Sequence, residues 1–135
     1  MKNKISLINI NKLKNHEMVC LKRLKRVKDN LLVKGYIKNP VVVDRKNNII
    51  LDGHHRVAAL KQLCVNKVPA FLVNYQDKNV RVFLRRKLKL AGSIKQTVIK
   101  NSLSNVLFPS KTTRHLIKNR PRNINFKISK LFNKY

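Results

Sequence analysis

The segment "NIILDGHHRVAAL", residues 48–60, constrains this chain more than any other feature. An apolar run leads into Asp52 and Gly53, and the pattern of a helix begins directly afterwards, at His54. This order predicts a strand, a tight turn and a helix. The first N–H groups of a helix lack partners within it, and glycine lets a ligand approach closely. The segment therefore predicts an anion-binding turn.

The side chains of this turn fit the same chemistry. His54, His55 and Arg56 are donors for phosphate oxygens. Asp52 would repel a phosphate, so we expect it to hold a metal ion, orient a donor or contact a substrate hydroxyl. An ordinary turn, with Asp52 capping the helix and both histidines exposed, remains an alternative. A zinc site is less favoured, because adjacent histidines do not easily face one metal and no CxxC or HExxH spacing accompanies them.

A second segment, "PSKTTRH" at residues 109–115, has similar chemistry. It lacks the glycines of a Walker loop, and by itself it is also compatible with a solvated basic loop that contains a threonine cap. Its candidate phosphate-binding residues are Lys111, Thr112, Thr113, Arg114 and His115.

The charge of the chain indicates anionic partners. Lys and Arg number 32 and Asp and Glu only 5 among 135 residues, so the formal net charge is +27. Such a charge attracts nucleic acid, acidic lipid, nucleotide or pyrophosphate. A nucleic-acid-binding protein of the partition type and a purely structural basic domain therefore stay open as hypotheses. The cations are not interleaved with aromatic residues, which argues against stacking on single strands.

The apolar patterns predict one α+β domain with a small mixed sheet flanked by helices. Strands are predicted at residues 4–10, 41–44, 48–52, 68–75 and 124–128. Helices are predicted from an Asn15 cap to Gly35, with Glu17 in the first turn, and at residues 54–64, 80–90 and 93–103. Residues 80–103 could also hide a helical pair. Residues 107–117 are predicted to be a loop that can open a turn of helix.

Cys20 and Cys64 lie in helix-like segments without CxxC spacing, so we expect both to be small buried apolar residues. Residues 5–10 are too short and too polar for a signal peptide, and no apolar run is long enough to span a bilayer. These features predict a cytoplasmic protein without a membrane segment.

The segment "LDGHHRVAAL", preceded by "NPVVVDRKNNII", resembles the ParB/sulfiredoxin-like superfamily, which binds nucleotide phosphates at a turn of this kind. Partition proteins carry Gly-Glu-Arg-Arg there, and sulfiredoxins carry Gly-Gly-Cys-His-Arg with a catalytic cysteine. His54 stands where that cysteine would be, so sulfinic acid reduction lacks its nucleophile. Three segments in order, "LKNHE", "ILDGHHRVAALKQL" and "LFPSKTTRH", resemble the archaeal free-serine kinase branch.

This resemblance implies a kinase that converts free L-serine to O-phospho-L-serine. The implied donor is ADP, ATP or another nucleotide, or inorganic pyrophosphate, with Mg²⁺ as cofactor; nucleic-acid binding would be incidental. The resemblance implies that Glu17 is the general base and that Asp52 lies near the reacting hydroxyl and the magnesium ion. The two implied donor-binding sets are Gly53, His54, His55 and Arg56, and Lys111, Thr112, Thr113, Arg114 and His115.

We expect residues 1–76 to form the phosphate-binding core. Residues 77–135 are expected to be a basic C-terminal part of the same domain and to carry the second phosphate-binding loop. The two loops are expected to converge and to hold one phosphate group from both sides, because two cationic loops that stayed apart would be redundant.

Overall fold

The structure is a computed structural model that describes residues 5–132. Its α+β architecture of mixed sheets and helices confirms the predicted fold class. The helices are α1 (Leu21–Lys34), α2 (His54–Gln62) and α3 (Ile94–Leu103). The strands are β1 (Ser6–Asn9), β2 (Tyr36–Ile37), β3 (Val41–Asp44), β4 (Ile50–Asp52), β5 (Lys67–Val73), β6 (Val80–Leu84), β7 (Thr113–Ile117) and β8 (Phe126–Lys127).

A four-stranded sheet forms the centre, in the order β1-β5-β3-β4. Strands β3 and β5 are parallel, with Val42 opposite Phe71, whereas β1 pairs with β5 and β4 pairs with β3 in antiparallel orientation. All four residues of β3 are buried. A strand covered on both faces has no need of alternating polar residues, which explains the continuous "VVV" in the sequence.

Each face of this sheet carries its own apolar cluster. Val41 and Val43 pack toward α1 and α2, in a cluster that includes Leu60 and, from the C-terminal region, Leu131. Val42, between them, points to the other face. The cluster on that side also contains Val73, Tyr75, Val80, Val98 and Phe108. Because side chains alternate along a strand, three consecutive valines serve two separate clusters.

The helices have the ends that the sequence indicates, apart from the start of α1. Gly35 ends α1 in the left-handed conformation at φ 73°, and Ser93 caps α3 with a reciprocal bond to Gln96. The prediction of a helix from Asn15, with Glu17 in its first turn, is wrong. Instead, Lys14 forms an isolated β-bridge with Ile49 beside β4 and Glu17 forms one with Phe108, and the chain bends at His16 between them.

The prediction of a helix at residues 80–90 is also wrong. Residues 80–84 form strand β6, which pairs in antiparallel register with β7, so that Val82 lies opposite His115. Residues 113–117 are accordingly a strand and not a loop or helical turn. No helical pair occupies residues 80–103, where only the second half is helical. The predicted last strand is reduced to Phe126–Lys127, followed by a 3-10 turn.

Both cysteines lie at the surface. Cys20 and Cys64 are exposed free thiols, so the prediction that they are buried is wrong. Cys64 follows the end of α2 and adopts φ 61°. Within residues 5–132, no helix is long and apolar enough to cross a membrane.

Candidate active site

The turn between β4 and α2 has the geometry that its sequence predicts. Gly53 adopts φ 110°, and a Cβ atom at this position would lie 2.5 Å from the Cγ1 atom of Val41. Only glycine fits both the conformation and the space. Gly53 occupies the N-cap position of α2, and no side chain caps the helix. The alternative in which Asp52 caps α2 is therefore wrong.

Asp52 instead pairs with two guanidinium groups. Its Oδ2 atom accepts from Arg120 at 2.6 Å and from Arg56 at 3.3 Å. Burial raises the pKa of Asp52, but the positive charges of Arg56 and Arg120 outweigh this effect, so the pKa is lowered. Arg56 also donates to the carbonyl oxygens of Asn39 and Pro40. The carboxylate of Asp52 therefore holds the side chains of Arg56 and Arg120 in place.

Both histidines of the turn accept hydrogen bonds through Nε2. His54, which is buried, accepts from the backbone N–H of His16 at 3.2 Å. His55 accepts from the backbone N–H of Cys20 at 3.0 Å, where α1 begins. Burial and then the His16 ring lower the pKa of His54 to about 3. Burial and then Arg23 also lower the pKa of His55. Neutral rings that accept through Nε2 carry their proton on Nδ1.

Glu17 is a buried carboxylate that binds the second segment, residues 109–115. Its Oε1 atom accepts from the amide of Lys111 at 2.9 Å, and its Oε2 atom accepts from the amide of Thr113 at 2.8 Å and from the Thr113 hydroxyl. Burial raises the pKa of Glu17, but His16 and the two Thr113 donors outweigh it and lower the pKa to about 2. Glu17 is therefore ionised at neutral pH.

The second segment faces the first across a cavity of about 430 Å³. Sites for small molecules commonly occupy about 300–1,000 Å³. The cavity is lined from one side by Gly53, His54, His55 and Arg56, and from the other by Lys111, Thr113, Arg114 and His115. The predicted convergence of the two loops is confirmed. Thr112 is the exception among the candidates, because it is fully buried and donates to the carbonyl of Pro109.

His115 adds a second buried ring to the cavity wall. Its Nε2 atom lies 2.7 Å from the hydroxyl of Tyr75, whose pKa is raised by burial and by the charge of Asp44. Burial and then His16 lower the pKa of His115 to about 3. The Nδ1 atom of His115 is buried without a hydrogen-bond partner among the described residues. A phosphate oxygen in the cavity would give such an atom a partner.

The cavity wall is strongly cationic. Seven of the described side chains that line it are Lys or Arg, against two carboxylates, Glu17 and Asp52. The cations are Arg23, Arg56, Arg85, Lys111, Arg114, Arg120 and Arg122. A second cavity of about 450 Å³, lined by Lys78, Arg81 and Lys118, shares Arg120 and Arg122 with the first. These two arginines lie between spaces suited to neighbouring anionic groups.

Sequence reasoning missed several of these residues. Arg120 reaches Asp52 across 68 positions of sequence, and His16 lies between β4 and β7. Arg23, Arg85 and Arg122 are indistinguishable in the sequence from the other cations. Of these residues, only His16 could have been identified from the sequence, because it lies next to Glu17 in the "LKNHE" segment.

The candidate site offers few ligands to a metal ion. Among residues 5–132, no group of three or more His, Cys, Asp or Glu side chains is placed to hold an ion. A zinc site, which needs three or four such ligands, therefore has no support among the described residues. Magnesium makes different demands, because it keeps several waters and binds through one or two carboxylates and substrate phosphates. The carboxylate of Asp52 at the cavity wall fits that role only together with a phosphate ligand.

Comparisons with known proteins give sequence matches to L-serine kinases. No protein-family model matches the chain. An ATP-dependent L-serine kinase of Staphylothermus marinus is 38% identical over 80 residues, which cover 56% of this chain and 32% of that protein. An ADP-dependent L-serine kinase of Thermococcus kodakarensis is 28% identical over 80 residues, 56% of this chain and 33% of that protein. The matches thus span about a third of the length of these curated relatives.

The overall fold is also that of solved structures. A free serine kinase in complex with AMP superposes with a TM-score of 0.85 at 16% identity, covering 98% of this chain and 95% of that chain. A conserved hypothetical protein from Pyrococcus furiosus superposes with a TM-score of 0.86 at 16% identity, covering 98% of this chain and 99% of that chain. The chain therefore has the fold of the free serine kinase structures, and over 80 residues its sequence is similar to those of L-serine kinases.

Proposed function

We propose that this protein transfers a phosphoryl group from a nucleotide or from pyrophosphate to free L-serine and forms O-phospho-L-serine. One observation carries the proposal: two segments rich in hydrogen-bond donors for phosphate face each other across one cavity, and the ionised carboxylate of Glu17 lines the same cavity. Phosphoryl transfer needs the donor phosphates held, their charge offset and the acceptor aligned. These residues supply each requirement.

The donor phosphates would bind between the two segments. The first backbone N–H groups of α2 have no partner within the helix, and the helix dipole is positive at this end. Arg56 and Arg120, fixed by Asp52, would bind phosphate oxygens from one side. Lys111 and Arg114 would do so from the other. Their charges would offset the negative charge that develops on the leaving group.

Glu17 is the candidate base for the serine hydroxyl. It is ionised and lies in the cavity wall, and its Oε1 atom accepts one hydrogen bond, from Lys111, so a second lone pair of that oxygen is left for the serine hydroxyl. Its low pKa makes it a weak base, so its main contribution would be to align the hydroxyl and to accept the proton late, as the new O–P bond forms. Asp52 is the orienting carboxylate, and a magnesium ion would reach it together with the donor phosphates.

The relatives favour a nucleotide as donor, since one of them is ATP-dependent and another ADP-dependent. Pyrophosphate stays within the proposal, because every contact described above is to phosphate and none is to a nucleoside. The second cavity, beyond Arg120 and Arg122, offers room for the remainder of a nucleotide. We propose that residues 1–76 and 77–135 serve as parts of one domain, the first binding phosphate and the second adding the opposing segment.

The test is direct. Purified protein is incubated with L-serine, MgCl₂ and ADP, ATP or pyrophosphate in separate reactions, and O-phosphoserine is measured by mass spectrometry. We expect product with at least one donor. A Lys111→Met variant should weaken donor binding, whereas Lys61→Met, the same change on the exposed side of α2, should behave as wild type. Absence of O-phosphoserine with all three donors would overturn the proposal.

The nucleic-acid hypothesis has less support. The helical pair that could have formed a DNA-binding unit at residues 80–103 is a strand and a single helix. Binding to DNA or RNA through charge alone would fall steeply as salt increases. Serine phosphorylation that persists at about 0.2 M KCl, together with loss of nucleic-acid binding at that salt, would identify such binding as incidental.

A further inference from the structure

His16 is a buried polar residue beside the cavity, and no role has yet been assigned to it. Its side chain is fully buried. Its Nδ1 atom lies 2.8 Å from the carbonyl oxygen of Ile50, and its Nε2 atom lies 2.9 Å from the hydroxyl of Thr113. A carbonyl oxygen can only accept a hydrogen bond, so the Nδ1 atom must carry a proton. Whether Nε2 also carries a proton depends on its contact with Thr113 and, through it, on Glu17.

The hydrogen bonds between His16 and Glu17 require one more proton than the Thr113 hydroxyl can supply. The Thr113 hydroxyl lies within hydrogen-bond distance of both the His16 Nε2 atom and the Glu17 Oε2 atom. These two links need two protons, and the hydroxyl supplies one. The second proton must therefore be on Nε2, which makes His16 an imidazolium, or on Oε2, which makes Glu17 a neutral acid.

The other contacts of Glu17 decide between these states. Backbone amides of Lys111 and Thr113 both donate to its carboxylate oxygens. A carboxylate accepts such bonds well, whereas a protonated carboxyl group gives up one acceptor position to its own hydrogen. The arrangement therefore favours ionised Glu17 and protonated His16. The His16 Nε2 and Glu17 Oε2 atoms are 3.6 Å apart, so the two charges offset each other.

The remaining groups around His16 are consistent with a single charged ring. His54 packs edge-on against it at 4.6 Å from α2, and His115 at 5.5 Å from β7. Both of these buried rings have a pKa lowered to about 3, first by burial and then by His16. The negative charge of Asp52 acts in the opposite direction and raises the pKa of both rings. In this three-histidine cluster, a second imidazolium would have no carboxylate to bond.

We propose that His16 is a positively charged positioning residue, linked to Glu17 through the Thr113 hydroxyl, that keeps Glu17 ionised and ready to accept the proton of serine. This role rests on the proposed kinase function. In the reaction, the serine oxygen forms its bond to phosphorus while the bond from phosphorus to the leaving phosphate oxygen breaks and leaves its electron pair there. The serine proton passes to Glu17, and His16 retains its own.

The protonation state can be tested without any activity. Long-range ¹H–¹⁵N correlation spectra of the ligand-free, ¹⁵N-labelled protein at pH 7 distinguish an imidazolium from either neutral tautomer. We expect both ring nitrogens of His16 to be protonated, and His54 and His115 to be neutral. In Thr113→Val, which removes the linking hydroxyl and keeps the side-chain shape, we expect a neutral His16 ring. Thr113→Ser should restore the charged ring. A neutral His16 in the wild type would overturn the proposal.

A kinetic measurement tests the consequence. When the link is cut, Glu17 loses a hydroxyl donor and its neighbouring positive charge, so its pKa should rise. The acidic limb of kcat/KM against pH, which lies below the working range in the wild type, should move upward by about one pH unit or more in Thr113→Val. Thr113→Ser should return it. A lower rate with an unmoved pH profile contradicts the proposal. If no donor supports serine phosphorylation, the proposed function fails, while the spectra still decide the state of His16.

Discussion

Glu17 has two roles at the scale of a single residue, and one substitution addresses both. In Glu17→Gln, the side chain keeps its size but has only one acceptor oxygen, so it cannot accept from the amides of both Lys111 and Thr113. We expect a loss of about 1–3 kcal/mol in the free energy of unfolding. We also expect turnover to fall by about 10²–10⁴-fold at saturating substrate, with donor affinity nearly unchanged, because the neutral amide cannot accept the serine proton and aligns the hydroxyl less well than a carboxylate.

The matched control for this prediction is Asp29→Asn. It makes the same chemical change at an exposed carboxylate on α1, where Asp29 only pairs with Lys25. Both stability and turnover should stay near wild type, because exposed pairs contribute little. Unfolding by urea and initial rates of O-phosphoserine formation give the two readouts. Near-normal turnover in Glu17→Gln would limit Glu17 to a structural role.

The buried histidines make stability depend on pH. His54 and His115 have a folded pKa of about 3, below the usual 6.5. Between these values the unfolded chain binds more protons than the folded protein, so stability falls as pH decreases from 6.5 toward 3. Each histidine contributes up to about 1.4 kcal/mol per pH unit in this window. Glu17, with a lowered pKa, begins to lose its own contribution only below about pH 4.5.

Urea unfolding at pH 7, 6, 5 and 4 measures this slope. We expect His115→Gln to be less stable at pH 7, because the Tyr75 hydroxyl loses its partner, and to show a shallower slope than the wild type. A free energy of unfolding that stays constant between pH 6.5 and pH 4 would show that these rings do not remain neutral in the folded protein.

At the scale of elements, the turn between β4 and α2 depends on Gly53. In Gly53→Ala, the new Cβ atom must displace Val41 or the turn itself, and the residue must keep φ 110°. Gly35→Ala provides a matched control, because Gly35 also has a positive φ of 73° but a Cβ atom added there would meet nothing within 4 Å. We expect Gly35→Ala to cost about 1–2 kcal/mol, and Gly53→Ala clearly more, with donor binding also lost. Equal costs in urea unfolding would contradict this view of the turn.

The elements differ in how far their structure can be predicted from the sequence. The run from Val41 to Gln62 was predictable, because a continuously apolar strand, a turn and a glycine-started helix are local patterns. Strand β6 was not, because basic residues between its apolar positions also suit an amphipathic helix. Its pairing with β7, 33 positions away at Val82 and His115, decides the structure. Tertiary pairing overrides local pattern in such segments.

Some residues of the candidate site could likewise be predicted from the sequence, and others could not. Residues contributed by a contiguous motif, such as His54 and Arg56, could be named from the sequence. Arg120 could not, because what distinguishes it from other arginines is a 2.6 Å contact with Asp52 across the cavity. Thr112 was named for its type, yet its hydroxyl serves the backbone of its own loop. Residue type indicates chemistry, whereas the direction of a side chain depends on the fold.

At the scale of the whole molecule, the net charge of +27 acts against the folded state, because it concentrates like charges. Salt should therefore raise Tm modestly by screening this repulsion. Pyrophosphate at the same ionic strength should raise Tm further, because an anion bound in the folded cavity adds a stabilisation that depends on its concentration. Lys111→Met should reduce this extra rise, whereas Lys61→Met, with the same loss of charge outside the cavity, should not. Thermal unfolding in NaCl and in sodium pyrophosphate measures both effects, and identical Tm values at matched ionic strength would mean that the cations of the cavity act only as part of the overall charge.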